Sequence, residues 1–161
     1  MEFFDLAALG GALVLCALMG SAEAIFSGQE LQRWLAGLKK PTLYAPMPLW
    51  IGVAIATYVI QAVIAYRLLS GSGGLADSIA FLALATVMGA NVLYNVVLAR
   101  RRNPREAYTG IIYFLVPLAL LQVALFFADP LSAMLNLIYV AWVIGYDLPI
   151  MRSLWKLNRS S

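Results

Sequence analysis

The chain has 161 residues, 63% of them hydrophobic and 12% charged, with a mean hydropathy of +0.84 and a net charge of +3. A soluble domain carries about a quarter charged residues, so a water-covered globule is excluded. So are disorder, a disulfide scaffold, His-ligated zinc, a Ser-His-Asp triad and proximal-His haem, because apolar residues dominate, cysteine occurs once and histidine never.

What remains is an all-α integral membrane protein. A spanning helix needs about 20 mostly apolar residues, and charge-free stretches of about that length recur along the chain. The first runs between Asp5 and Glu23 and extends to Phe26. It carries Ala8, Ala12, Cys16, Gly20 and Ala24 at four-residue intervals, a small-residue stripe of the kind that lets helix backbones approach in lipid. Followed by Ala22-Glu23-Ala24, the same stretch also resembles a signal-peptide core, but Met1-Glu2-Phe3-Phe4-Asp5 has no Lys or Arg. No cleavage is expected.

Residues 27–47 form the longest connection, with Trp34, Pro41, Tyr44 and Pro46, followed by Pro48 and Trp50. That density of proline and aromatic residues predicts an ordered loop over one end of the bundle, although an interfacial aromatic belt accounts equally well for Tyr44 and Trp50. The second span, 48–69, carries Tyr58 and Gln61, and the turn Ser70-Gly71-Ser72-Gly73-Gly74 follows it. The third, 76–99, carries Asn91, Tyr94 and Asn95, with Ala85 and Gly89 as a small-residue pair. The fourth, 107–128, carries Gln122 and is expected to bend at Pro117. On the fifth, 130–152, Asn136, Tyr139, Val143 and Asp147 fall at three- and four-residue steps and share a face, flanked by Trp142 and Tyr146. Five spans beginning near residue 4 leave only short loops, so a single five-helix domain is expected.

Five crossings put the termini on opposite sides. The side with the first and third loops and the C-terminus carries Arg33, Lys39, Lys40, Arg100, Arg101, Arg102, Arg105, Arg152, Lys156 and Arg159, against Arg67 alone on the other. The positive-inside rule therefore predicts an outer N-terminus and a cytoplasmic C-terminus. It also accounts for the basic charge without nucleic acid, and no nucleic-acid partner is expected.

Polar side chains at membrane depth face the interior of a bundle. Tyr58, Asn91, Tyr94, Asn95, Tyr139, Trp142 and Asp147 would converge on an aromatic cavity with a few hydrogen-bonding points, suited to a flat apolar ligand with polar edges. Two readings stay open for Asn91 and Asn95: ligand contacts, or bonds that tie helices together. Glu23 and Asp147 are the acidic residues nearest the membrane interior. Each is read as an interfacial solvated group, a partner for a nearby cation such as Arg152, or a proton- or ligand-sensing carboxyl group.

The segment Trp34-Leu35-Ala36-Gly37-Leu38-Lys39-Lys40-Pro41 resembles the W-x-x-x-L-x-K-P signature of the TspO/MBR family, the tryptophan-rich sensory proteins related to the translocator protein. Gly20, Pro46, Tyr58, Arg67 and Asn91 match family positions. Tyr94 and Tyr139 stand where tryptophans are usual, and Tyr146-Asp147 stands at the usual Leu-Asn. The resemblance implies five transmembrane helices and a first loop that caps a ligand site. It also implies hydrophobic ligands, porphyrins above all and sterols in animal members, with transport or sensing as the activity. Thr42, Leu43, Ala45 and Ala54 depart from the family's aromatic or proline residues. With those tryptophans gone, no porphyrin-degrading chemistry is expected.

The combined expectation is a membrane-embedded binding protein for a planar hydrophobic ligand, a tetrapyrrole or sterol-like molecule, acting as sensor or translocator. Trp34, Pro41 and Trp50 would form the lid, and Asp147 would meet any cationic group. No cofactor is required. Haem, if bound, would need Tyr, Met or Cys ligation, so stacking on the porphyrin face is expected instead. A transporter of small lipophilic molecules and a ligand-free partner subunit are the alternatives. A homodimer through the small-residue faces is compatible with all three. No catalytic residue or metal site is expected, because no nucleophile–base pair or metal cluster can be assembled from these residues.

Overall fold

The computed structural model describes residues 5–26 and 29–159. The expected start of the first span at residue 4, and residues 27 and 28 of the first loop, lie outside the described residues. Seven α-helices follow in order: α1 (Leu6–Phe26), α2 (Gln29–Gly37), α3 (Met47–Leu69), α4 (Leu75–Arg101), α5 (Pro104–Ala128), α6 (Pro130–Trp142) and α7 (Leu148–Leu157). A π-helical turn, Val143–Asp147, joins α6 to α7, so Pro130–Leu157 is one continuous rod. Among the described residues, that rod and α1, α3, α4 and α5 are the five helices long and apolar enough to cross a membrane. The short α2 lies within the first loop, where the sequence predicts order but no particular helix. It is the amphipathic piece, with Leu31 buried and Trp34 half-buried against the bundle.

The helix starts are written in the sequence. Asp5 accepts from the amides of Ala7 and Ala8. Asn103 accepts from Arg105 N ahead of Pro104, and Asp129 accepts from Leu131 N ahead of Pro130. Each pairs a side-chain cap with a proline whose missing N–H costs nothing at the first helical position. Pro117 lies inside α5, which runs through it. Pro149 explains the π turn. Its ring clashes with the carbonyl four residues back, and widening the preceding turn moves that carbonyl aside.

The outer surface inverts the pattern of a soluble protein. Leu13, Leu18, Ile55, Leu82, Leu120 and Phe127 are all exposed, Phe127 by 75%. Such a continuous apolar coat fits lipid and not water. Inside, Ile64, Leu84, Met88, Leu118, Leu121 and Leu125 are buried. The small-residue stripe of α1 is spent within the chain. Ala8 and Ala12 are buried, and a side chain added at Gly20 would lie 3.8 Å from the Tyr58 ring of α3. Ala24, at its end, is exposed. Gln122 accepts from Asn136 Nδ2 at 2.9 Å and donates to Ala133 O, so these two polar groups tie α5 to α6.

At the bundle end opposite the basic loops, Arg67 on α3 grips Asp129 through Nε at 2.6 Å and Nη2 at 3.0 Å. The Ser132 hydroxyl also donates to Asp129 at 2.6 Å. The guanidinium, with Ser132 in support, holds the Asp129 carboxyl down at about 2 against the opposing effect of burial. An unfolded aspartate titrates near 3.9, so the folded state is the weaker proton binder. The pair's contribution is therefore complete above about pH 4 and lost as pH falls toward about 2. Arg67→Gln is expected to flatten the melting temperature across that window and to leave the profile above pH 5 parallel to wild type. Thermal melting in lipid nanodiscs at stepped pH measures it.

Candidate functional site

The π turn sets the site. It keeps Tyr139, Val143 and Asp147 on one face, as the sequence steps predict, and lines them up against α4 and α5. Together with Trp50, Asn91, Tyr94, Ile111, Phe114 and Met151 they enclose a cavity of about 70 Å³. Four of the nine are aromatic, and Phe114 and Tyr139 meet edge to face at 6.2 Å. Asp147 is half-buried, and its Oδ1 is buried without a hydrogen bond among the described residues. Such an atom is rare in a folded chain and marks a place to look for function.

Asn91 lines the same cavity from the α4 side, and its Nδ2 donates to Glu23 Oε2 at 2.7 Å. Tyr58 Oη donates to that same oxygen at 2.7 Å. Glu23 is thus not simply solvated, and among the described residues no cation pairs with it. It is the acceptor at the junction of α1, α3 and α4.

Above the cavity the first loop is pinned by its backbone. Tyr146 Oη accepts from Ala45 N and donates to Leu43 O, both at 2.7 Å. Trp50 Nε1 donates to Ala45 O at 3.1 Å, and Ala45 itself is buried. The rings that hold the loop also hold one another. Trp142 and Tyr146 lie 4.5 Å apart, and Trp50 sits 6.0 Å from Trp142 and 5.7 Å from Tyr146. Lys40 lies 5.4 Å over the Tyr44 ring, and the Tyr44 phenol is pushed above its usual range by burial and by the neighbouring Tyr146. At the far end of α7, Asn158 mimics a peptide strand. Its Oδ1 accepts from Lys39 N at 3.0 Å and its Nδ2 donates to Lys39 O at 2.9 Å.

A second void, a groove of about 360 Å³, lies on the outer surface between α3 and α6. Val53, Ala56, Thr57 and Ile60 form one side, and Ile138, Ala141, Trp142 and Tyr146 form the other. Ala56, Ile138 and Ala141 are exposed, so the groove opens where lipid would be. Tyr139 borders both voids.

Of the residues singled out from sequence, Trp50, Asn91, Tyr94, Tyr139 and Asp147 line the inner cavity and Trp142 lines the groove. Four stand off both voids. Tyr58 is engaged with Glu23, and Asn95 donates to its own helix at Asn91 O. Trp34 packs α2 onto the bundle, and Pro41 opens a turn in which its carbonyl accepts from Tyr44 N. Trp34 and Pro41 therefore shape the lid from outside the cavity. Sequence reasoning passed over Ile111, Phe114 and Met151, although continuing the Tyr139, Val143, Asp147 step by four reaches Met151. It also passed over Gly110, which leaves room for the Tyr94 ring: a Cβ there would lie 2.7 Å from two ring carbons.

A five-span helical bundle with a backbone-pinned loop over one end is a polytopic membrane protein. Residues 12–146 match the model of the TspO/MBR family, and the chain belongs to that family. No curated protein matches the chain. Membership and the five apolar helices together make it a membrane protein of the sensor or transporter type.

Proposed function

We propose that the chain is a membrane-embedded binding protein for a planar hydrophobic ligand, acting as a sensor or translocator with its basic end in the cytoplasm. The observation that carries this reading is the meeting of two voids at Tyr139: an inner cavity holding an unpartnered Asp147 oxygen, and an outer groove open to the bilayer. Small-molecule sites run to roughly 300–1,000 Å³, so the groove can seat a flat ring body while the cavity takes its polar end. A ligand dissolved in lipid reaches the groove sideways without crossing the headgroups. A two- or three-ring aromatic suits these dimensions. A tetrapyrrole is larger and requires the loop at Ala45 to lift.

The test uses 9-anthracenemethanol, a neutral three-ring probe, titrated into the protein in phosphatidylcholine nanodiscs. Energy transfer from Trp50 and Trp142 to the anthracene reports proximity, and empty nanodiscs correct for partition. Saturable transfer is expected. Trp142→Ala and Asn91→Ala are each expected to weaken binding by about tenfold, or 1.4 kcal/mol. Equal affinity in all three proteins, or transfer that never saturates, removes the reading. The competing transporter reading predicts flux of the probe between vesicle compartments in addition.

A further inference from the structure

The inner cavity offers its occupant acceptors and ring faces. Asp147 Oδ1 is buried there without a donor among the described residues. Asn91 directs one Nδ2 hydrogen to Glu23, and its carbonyl oxygen is the acceptor its amide can offer an occupant. A carboxylate across from Nδ2 fixes this amide orientation, since the opposite flip would set oxygen against oxygen. Trp50, Tyr94, Phe114 and Tyr139 supply four aromatic rings, whose faces carry negative potential. The Tyr94 hydroxyl is already used, donating to Ala107 O at 3.2 Å. Among the described residues, neither void is lined by Lys or Arg.

An unpaired carboxyl oxygen, ring π-systems and a lining without Lys or Arg together favour positive over negative charge. A carboxylate carried by a ligand would meet Asp147 and the Asn91 oxygen with no cation to offset them. A small ammonium group would have the Asp147 and Asn91 oxygens as acceptors and four aromatic rings around it, groups that recognise such cations in water-poor sites. The volume agrees. About 70 Å³ takes an ammonium group and its first carbons but no ring system.

We infer that the protein selects lipophilic amines: the cationic head sits in the inner cavity against Asp147, and the flat apolar body lies in the groove beyond Tyr139. This rests on the binding reading above and names the ligand's charge, which that reading leaves open. It also gives Asp147 a role that an asparagine in its place could not fill, since an amide cannot neutralise a cation in lipid.

Three anthracenes of one ring system separate the possibilities: 9-anthracenemethylamine, 9-anthracenemethanol and 9-anthracenecarboxylate. Phosphatidylcholine nanodiscs carry no net charge, so the bilayer itself does not favour the cation. Wild-type protein is expected to bind the amine at least about tenfold more tightly than the alcohol, and the acid more weakly than either. Asp147→Asn is expected to bring the amine level with the alcohol while the alcohol's affinity moves by less than about threefold. Equal binding of amine and alcohol by the wild-type protein overturns the inference, and this comparison needs no variant to fold. A preference that survives in Asp147→Asn also overturns it. Saturable alcohol binding with no amine preference leaves the binding reading standing alone; failure of all three probes removes both.

Discussion

Gly110→Ala is expected to destabilise the bundle by about 1–3 kcal/mol, the range for an overpacked interior, and to weaken ligand binding with it. The sign is informative, because a glycine inside a helix ordinarily costs up to about 1 kcal/mol relative to alanine. Here the added methyl would lie 2.7 Å from Cδ2 and Cε2 of Tyr94. The obstacle is the body of a ring and not the free end of a flexible chain. The ring also has a tether: its hydroxyl donates to Ala107 O, less than one turn before Gly110 on the same helix α5. To escape, Tyr94 must break that bond and swing into the cavity it lines. Melting temperature and anthracene affinity should therefore fall together. Adding Tyr94→Leu to Gly110→Ala should recover part of the stability, giving a double variant less damaged than the sum of the singles. A higher melting temperature for Gly110→Ala would show that the ring yields at no cost.

The contrast with what could be read from the sequence follows from where each feature is encoded. The five spans were legible because each is a run of apolar residues ended by charge or by a cap-and-proline pair such as Asp129-Pro130. The shared face of Tyr139, Val143 and Asp147 was legible because it is a property of one helix. The contacts of Glu23 were not. Its donors come from α3 and α4, and which faces of three helices meet depends on their mutual rotation, to which periodicity is blind. Gly110 against Tyr94 is hidden for the same reason. The lid divided along the same line. Trp34 and Pro41 carry the family signature, so they drew attention as ligand contacts, whereas the groups holding the loop down are Tyr146, Trp50 and Asn158. Asn158 lies beyond the matched residues 12–146, where no motif points to it.

Removing the carboxylate of Glu23 tests that hidden junction. Glu23→Ala strands two donors, Tyr58 Oη and Asn91 Nδ2, which now share one oxygen at 2.7 Å each. A donor left unpaired in an apolar medium costs about 1–3 kcal/mol, so with two donors stranded a loss of about 2–6 kcal/mol is expected, seen as a lower melting temperature in nanodiscs. Glu23→Gln keeps an oxygen within reach of both donors and should lose clearly less than Glu23→Ala. A second effect separates this junction from plain packing. Once Glu23 is gone, the Asn91 amide is free to turn its N–H toward the cavity, replacing an acceptor with a donor beside Asp147. Glu23→Ala should therefore reduce the amine preference over the alcohol, while Glu23→Gln should preserve it. The combination Glu23→Leu, Tyr58→Phe and Asn91→Leu removes donors and acceptor together. It should recover stability relative to Glu23→Ala, because unpaired polar groups in an apolar medium cost more than absent ones. If instead the triple variant melts lower than Glu23→Ala, the three groups hold the helices by shape, and their hydrogen bonds are incidental.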